Sequence, residues 1–586
     1  MSKRLICLAL SIVMLLSLCL TSCGGKDSDE AMSDINETAN VDNRSLVVYL
    51  MSEAPVDAET EAIIEDAVND MTEEKFNTRL DLRFYTEDEY YAQLDKAFAD
   101  REAAKAAGTL AADKAVDSNE TETDEYGIPV PVYPGVASYQ VDIFYMGGKE
   151  NFDKYKSKGV LARLDDEINN SSIISTNIPK QLLENIKGLN SGTYAIPTSK
   201  VIGEYTYLLL NKEALEAAYL KNDCICLDGA TDYSQFTSLT CGAVEDFLAY
   251  VTSDTNTLSD DYYPIYTNLS TEELLISNIQ YWGIGDDGKL SDAFSVLGGY
   301  YGRDDKYLDS NVYAKMENLF ENETFLNDIK VLKSYEINNY YEAEDGKKFA
   351  VGYVQGGAEL EEIYGEEYEL IPVAIPRLTE EEIYSDMFAI SAHTAQVSRA
   401  MEILEFMNSD EEFRNLLYYG VEDLHYQLIS TGVENKYGEE FKVVEQFEES
   451  KKYQMDPNKT GNTFLIYPLK DSSLTLSGYQ VAQNQIAGAR LDLGFALDLN
   501  NYKVDTESLA EVKTLSEEIM EAYRACKTMD EFNIFVTESQ AKIEASEAVQ
   551  LHLGCGADGS HNKADGKCHS LRCSYIGWLT AKKIIK

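Results

Sequence analysis

Ser45-Leu46-Val47-Val48-Tyr49-Leu50-Met51 holds six apolar residues in a row after Ser45, with no polar alternation. A strand that reads this way is covered on both faces, so it belongs in a sheet with helices above and below. The next segments supply them. Ile63, Ile64, Ala67, Val68 and Met71 recur at helical spacing, and Leu80 to Phe84 alternates as a second strand. Thr86-Glu87-Asp88-Glu89 has the form of a capping box. It opens a helix whose apolar face is Tyr91, Leu94 and Phe98. Val141-Asp142-Ile143-Phe144-Tyr145 is a third strand, ending at Gly147-Gly148. Strand–helix–strand–helix–strand order predicts a parallel α/β sheet.

Between that second helix and the third strand, residues 103–140 are Ala-rich, then acidic from Asp117 to Glu125, then marked by Pro129, Pro131 and Pro134. The stretch reads as an extension of the helix that loops back over the surface, without chemistry of its own. Farther on, Asn185 to Pro197 reads as a hairpin with a glycine turn, and Glu204 to Leu210 as a strand leading into a helix. Helices are expected over Thr271 to Tyr335 and Gln396 to Tyr419. No internal repeat is visible.

Lys3 and Arg4 precede an apolar run from Leu5 to Leu20, and Leu20-Thr21-Ser22-Cys23 follows. A charged start, a short apolar core and small exit residues make a secretory signal. The placement of Cys23 is similar to the lipobox of bacterial lipoproteins. That likeness implies cleavage after residue 22 and lipid on the Cys23 sulfur. Each buried methylene contributes about 0.8 kcal/mol, so two or more acyl chains suffice as an anchor. Residues 23–45 are small, polar and acidic, the composition of a flexible tether.

The chain has 586 residues and a formal net charge of −52. Such a field repels phosphate backbones and excludes nucleic acid as a partner. It also disfavours anionic headgroups, so membrane contact is expected through the lipid on Cys23 only. No apolar run after Leu20 reaches the eighteen or so residues of a spanning helix. Seven cysteines lie beyond Cys23: Cys224, Cys226, Cys241, Cys526, Cys555, Cys568 and Cys573. An odd number leaves at least one thiol unpaired within the chain, and Cys226 with Cys241 is a candidate local disulfide of an exported protein. Cys555, His561, Cys568, His569 and Cys573 crowd a tail, 551–586, that turns from acidic to basic. Thiolate and imidazole suit zinc, but the spacing matches no standard zinc knuckle. The tail is therefore expected to be disordered or frame-shifted, with no metal and no cofactor.

Several segments in order resemble family 1 extracellular solute-binding proteins of ABC importers, the maltose-binding-like group. They are Val141 to Tyr145, Gly192-Thr193-Tyr194-Ala195-Ile196-Pro197, Glu204 to Lys212, Phe349-Ala350-Val351-Gly352-Tyr353 and Met387-Phe388-Ala389-Ile390-Ser391. Met455-Asp456-Pro457-Asn458-Lys459-Thr460-Gly461-Asn462-Thr463-Phe464 is similar to a segment of large acidic clostridial lipoproteins of that family. The resemblance implies an α/β fold of type II, with two lobes, a hinge and an interlobe cleft. It divides the chain into a signal peptide (1–22), a tether (23–45), a first lobe (46–204 and 390–420), a second lobe (205–389 and 421–550) and the tail (551–586). Tyr205 to Leu210 and Asp386 to Ser391 are expected to cross between lobes.

The function implied is capture of a solute, foremost a carbohydrate, and delivery to permease subunits of an ABC importer. The protein would work as a monomer, lipid-anchored on the extracellular face of the bacterial cytoplasmic membrane. Peptides and polyols are the other solutes. Sugar recognition needs flat rings for the pyranose face and short polar groups for its hydroxyls. The candidates are Trp282, Tyr145, Gly147, Glu204, Tyr205, Tyr353, Gln355, Asn458, Asn462 and Thr463. Trp282 stands out as the only tryptophan before the tail. No His-Glu-x-x-His, Gly-x-Ser-x-Gly or phosphate loop is present, so no catalytic residue is assigned. The alternatives are a surface lipoprotein with glycoside hydrolase activity, whose paired carboxylates would be lost among 102 acids, and a surface adhesin.

Overall fold

A computed structural model describes residues 42–581, less short stretches of which the longest are 222–232, 301–315, 471–489 and 555–568. Cys23, Cys226, Cys555, His561 and Cys568 lie outside the described residues, as does the turn expected within 185–197.

The opening run forms β1 (Asp42–Ser52), buried from Ser45 to Ser52. Helix α1 (Ala58–Phe76) follows, held at its start by Asp57 accepting from the Thr60 amide and at its end by Asn77 in the left-handed conformation. β2 (Thr78–Thr86) and α2 (Glu87–Ala106) come next. Thr86 sits at the cap of α2 but makes no side-chain bond there, so the expected capping box does not form. β3 (Ile143–Met146), α3 (Lys149–Ser157) and β4 (Ile196–Pro197) complete the first pass.

The chain then builds a second sheet from β5 (Tyr205–Asn211), β6 (Tyr262–Thr267), β7 (Lys348–Gly356) and β8 (Tyr368–Ala374), with α4 (Glu323–Ile337) ahead of β7. It returns through α5 (Glu380–Ser385) to β9 (Met387–Ile390), α6 (Val397–Ser409) and α7 (Glu411–Tyr419). Long helices α8 (Thr506–Ala525) and α9 (Met529–Ala545) and a last helix, α10 (Leu571–Ala581), end the fold.

Two lobes result, each with a sheet and a core of its own. The first sheet runs β2-β1-β3-β9-β4. β1 and β3 are parallel, Val48 opposite Ile143, while β9 lies antiparallel to β3 and to β4. Its core joins Val47, Tyr49, Ile143, Phe144, Met387 and Leu404, all at most 2% exposed. The second sheet runs β8-β5-β7-β6. Its core includes Leu208, Leu210, Val351, Ile265 and residues of α4, α8 and α9. Burying each such side chain contributes about 1.5–3 kcal/mol, so each lobe has ample drive to fold on its own sheet.

β5 and β9 are thus central strands of opposite lobes, not crossings. The chain passes between lobes ahead of them, within 198–204 and between β8 and α5, where Arg377–Leu378 pairs with Arg490–Leu491.

Four more expectations are corrected. Ile279–Tyr281, Leu297–Tyr300 and Glu317–Asn318 are short strands within the region where helices are expected to dominate. Tyr453 and Met455 are buried in the first core, so this part of 421–550 packs with the first lobe. Cys241 is a free thiol, not half of a disulfide with Cys226. The tail is not wholly disordered: Leu571 and Tyr575 are buried in the second core, and Cys573 is disulfide-bonded rather than free for zinc.

Residues 42–44 and 114–134 form a small unit apart from the main body. In it Val116–Asp117 pairs with Asp42–Asn43, and Thr121–Thr123 forms an antiparallel hairpin with Pro129–Pro131. The surface loop expected over 103–140 therefore contains strand pairing of its own.

Candidate functional site

Ligands of open α/β sheets lie beyond the carboxyl ends of the strands. In the first lobe that edge is where β3 ends at Gly147 and Gly148 and where antiparallel β9 begins. Gly147 is required by close approach: a Cβ there would stand 2.6 Å from the Tyr145 hydroxyl and 2.8 Å from the Ser385 carbonyl. The Gly147 amide donates to the Tyr91 hydroxyl at 3.0 Å, and Asn151 donates to its carbonyl at 2.8 Å.

Tyr145 is 3% exposed, and its hydroxyl donates to Asp386 Oδ1 at 2.5 Å. The other Asp386 oxygen forms an ion pair with Lys200, the two side chains being 10% and 13% exposed. Tyr90 Oη donates to the Tyr145 carbonyl at 2.9 Å and fixes the strand end from below. Burial first, and then the Asp386 charge, drive the Tyr145 hydroxyl far above the ordinary phenol range. Burial raises Tyr91 as well. Both remain protonated donors at any physiological pH. The edge therefore offers hydroxyls and amides around an ion pair that cancels its own charge.

In the second lobe the matching edge is where β5 begins and β7 and β8 end. Gly356 is paired with Tyr205, Gln355 with Thr206 and Ala374 with Thr206. β6 ends there too, with Thr267 opposite Tyr353 and its hydroxyl donating to the Tyr353 carbonyl at 2.9 Å. Gln355 donates to the Thr206 hydroxyl at 3.3 Å. Tyr205 is half-buried against Tyr207, ring centres 5.7 Å apart, and Glu204 is exposed.

The sequence candidates divide on this geometry. Gly147 lies on one edge, and Glu204, Tyr205 and Gln355 on the other; Tyr145, 3% exposed in the first core with its hydroxyl on Asp386, supports the first edge from behind. Tyr353 lies near that second edge, but its side chain is 2% exposed and points into the second core. Trp282 is 1% exposed, packed at 4.3 Å from the Tyr575 ring in the same core, and is not a cleft residue. The glycine that follows it serves a tight strand, not access: a Cβ at Gly283 would lie 2.5 Å from the Ala293 carbonyl.

Asn462 and Thr463 are structural ties. Asn462 caps a short turn by accepting from the Phe464 amide at 3.0 Å, and its carbonyl accepts from Arg414 Nε at 3.0 Å. Thr463 donates from both its amide and its hydroxyl to the Ser199 carbonyl, at 2.8 and 2.9 Å. Asn458 is half-buried in the same loop, its amide donating to Asp456 at 2.8 Å. The residues that sequence reasoning missed are Tyr91, Asn151, Lys200 and Asp386. Asp386 immediately precedes the apolar Met387 run, which is a local signal, but nothing in the sequence joins it to Lys200.

A separate cavity of about 500 Å³ lies in the second lobe beside α8, floored by Tyr281 and Phe294. Its rim charges are spent on neighbours, Arg524 on Glu272 and Lys513 on Glu517. Among the described residues no His, Cys, Asp and Glu side chains gather to hold a metal ion.

No protein-family model and no curated protein matches the chain. Solved structures do. The chain is similar to the N-glycan transport solute-binding protein of Streptococcus pneumoniae at 15% identity, over 92% of this chain and 99% of that one, TM-score 0.48. It is similar to the HMO-binding, ABC-transporter-associated solute-binding protein of Bifidobacterium longum infantis at 13% identity, over 87% and 98%, TM-score 0.39. A third is the sugar-binding protein MalE of Xanthomonas citri, at 10% identity, over 86% and 97%, TM-score 0.35. Of these three solved proteins, two are solute-binding proteins and the third is a sugar-binding protein.

Proposed function

We propose that the protein is a lipid-anchored extracellular solute-binding protein that captures a carbohydrate and hands it to the permease of an ABC importer. The observation that carries this reading is the pair of strand edges joined by the linkers. Tyr91, Gly147 and Asn151 lie on one, and Tyr205 and Gln355 on the other. Two lobes of this kind close around a ligand by bending at a few linker residues. Tyrosine rings with protonated tips suit a neutral, hydroxyl-rich solute, and the cancelled Lys200–Asp386 charge gives no preference for an ion. The proposed site is thus Tyr91, Gly147, Glu204, Tyr205 and Gln355, with Tyr145 holding the first edge in place. It binds without catalysis.

Cys23 supports the anchor, since it follows Leu20-Thr21-Ser22 at the end of the secretory signal. The part of the expected tether that precedes β1 then spaces the lobes from the membrane surface.

Two sugars serve as probes, Man1GlcNAc and maltose, which are bound in two of the similar solved structures. In calorimetric titration of the mature chain at least one should bind, and Tyr205→Ala should weaken it tenfold or more with the melting temperature kept. Cleavage of a glycan probe instead of its retention would favour the hydrolase. Absence of binding to a wider sugar, polyol and peptide library would favour the adhesin.

A further inference from the structure

The linker 198–204 is fastened to the first lobe almost to its end. The Thr198 amide donates to the Asp386 carbonyl at 3.0 Å. The Ser199 hydroxyl donates to the Asn177 carbonyl at 2.7 Å, and the Ser199 carbonyl receives Thr463. Lys200 is held by Asp386, which also holds the Tyr145 hydroxyl at the end of β3. Ile202 is 4% exposed in the first core.

Gly203 and Glu204 come next, and at Tyr205 the chain is already in the second sheet. Gly203 has φ +65°, a conformation that glycine enters and leaves without steric penalty. Its amide donates to Glu382 Oε1 at 2.7 Å. Glu382 belongs to α5, whose Ile383 and Tyr384 are also buried in the first core.

We propose that Lys200, Asp386 and Tyr145 form a pin that fixes this linker to the first lobe through Ile202, so that bending on it is confined to Gly203 and Glu204. Breaking the ion pair releases Lys200 and Val201 between the Ser199 and Ile202 anchors and lengthens a two-residue pivot into a looser one. Substituting Gly203 acts on the pivot and leaves the pin intact.

The inference rests on reading the lobes as a closing cleft, but its test needs no solute, so a failure to bind sugar would not touch it. Full-length protein is examined by amide hydrogen exchange and by small-angle X-ray scattering. Lys200→Met and Asp386→Asn should each speed exchange of peptides covering 198–204 at least tenfold and broaden the distribution of radii of gyration. Peptides over β1 and β3 should be unchanged, and the double variant should match either single one. Gly203→Ala, which disfavours φ +65°, should shift the mean radius while exchange at 198–202 stays at the wild-type rate. Exchange at 198–204 within twofold of wild type in both pin variants would overturn the proposal. So would faster exchange over β1, which would make the pair a core support, or an unchanged radius in Gly203→Ala.

Discussion

At position 282 the indole is buried at 1% exposure, and its N–H meets no partner among the described residues. Truncating a buried aromatic of this size costs about 3–5 kcal/mol. Trp282→Ala should therefore lower the urea midpoint strongly, and the fraction that remains folded should bind solute as the wild type does. Retained stability with lost binding would put the ring back in the cleft. The contrast with Tyr145 shows what single residues reveal in a sequence. The place of Tyr145 and Gly147 at a strand end is legible because a strand followed by paired glycines locates itself. Trp282 misled because flanking glycines look the same whether they expose a ring or admit a neighbouring backbone. The Lys200–Asp386 pair was illegible for another reason, since its members stand 186 positions apart and only the folded sheet brings them together.

Helices and turns carry a second set of consequences. Helix α10 places Leu571 and Tyr575 in the second core, while the Leu571 amide donates to His552 Nδ1 at 3.2 Å. Two buried side chains at about 1.5–3 kcal/mol each are enough to matter. A chain ending at Gln550 should lose about 3–6 kcal/mol of stability rather than be indistinguishable from the full one; equal urea midpoints would show that α10 is a passive passenger. The basic composition of 551–586 hid this, because one helical turn of Leu571 and Tyr575 is too short a pattern to stand out. His425 sits in the turn after α7, accepting the Val421 amide on Nδ1 at 3.0 Å, and its ring would clash with any Cβ at Gly420, where φ is +91°. Burial holds this imidazole below its ordinary value of 6.5. The unfolded chain then takes up a proton first on acidification. The stabilising contribution is full above pH 6.5 and is lost as pH falls through the lower folded value. His425→Gln should flatten the decline in melting temperature between about pH 7 and pH 5; an unchanged slope would assign that decline to other groups.

Over the whole molecule, the fold was more legible than the site. Continuous apolar runs mark doubly covered strands, and their order with helical periods sets the α/β class. Which strand belongs to which lobe was not legible, because β5 and β9 read alike whether they cross between sheets or end inside one. The two sheets have separate cores, one built on Val47, Ile143 and Leu404, the other on Leu208, Val351 and Trp282. Among the described residues the two cores share no side chain, and domains with cores of their own unfold independently unless their interface is large and apolar. Scanning calorimetry of the mature chain should then resolve two transitions. Trp282→Ala should lower one of them and leave the other in place, because the indole touches the second core alone. The Lys200→Met/Asp386→Asn double variant should lower neither by more than a degree or two, since it removes both charges of the pair and opens no cavity. A single transition that moves as a whole in Trp282→Ala would mean that the lobes fold as one cooperative unit, and the linkers would then have to transmit stability as well as motion.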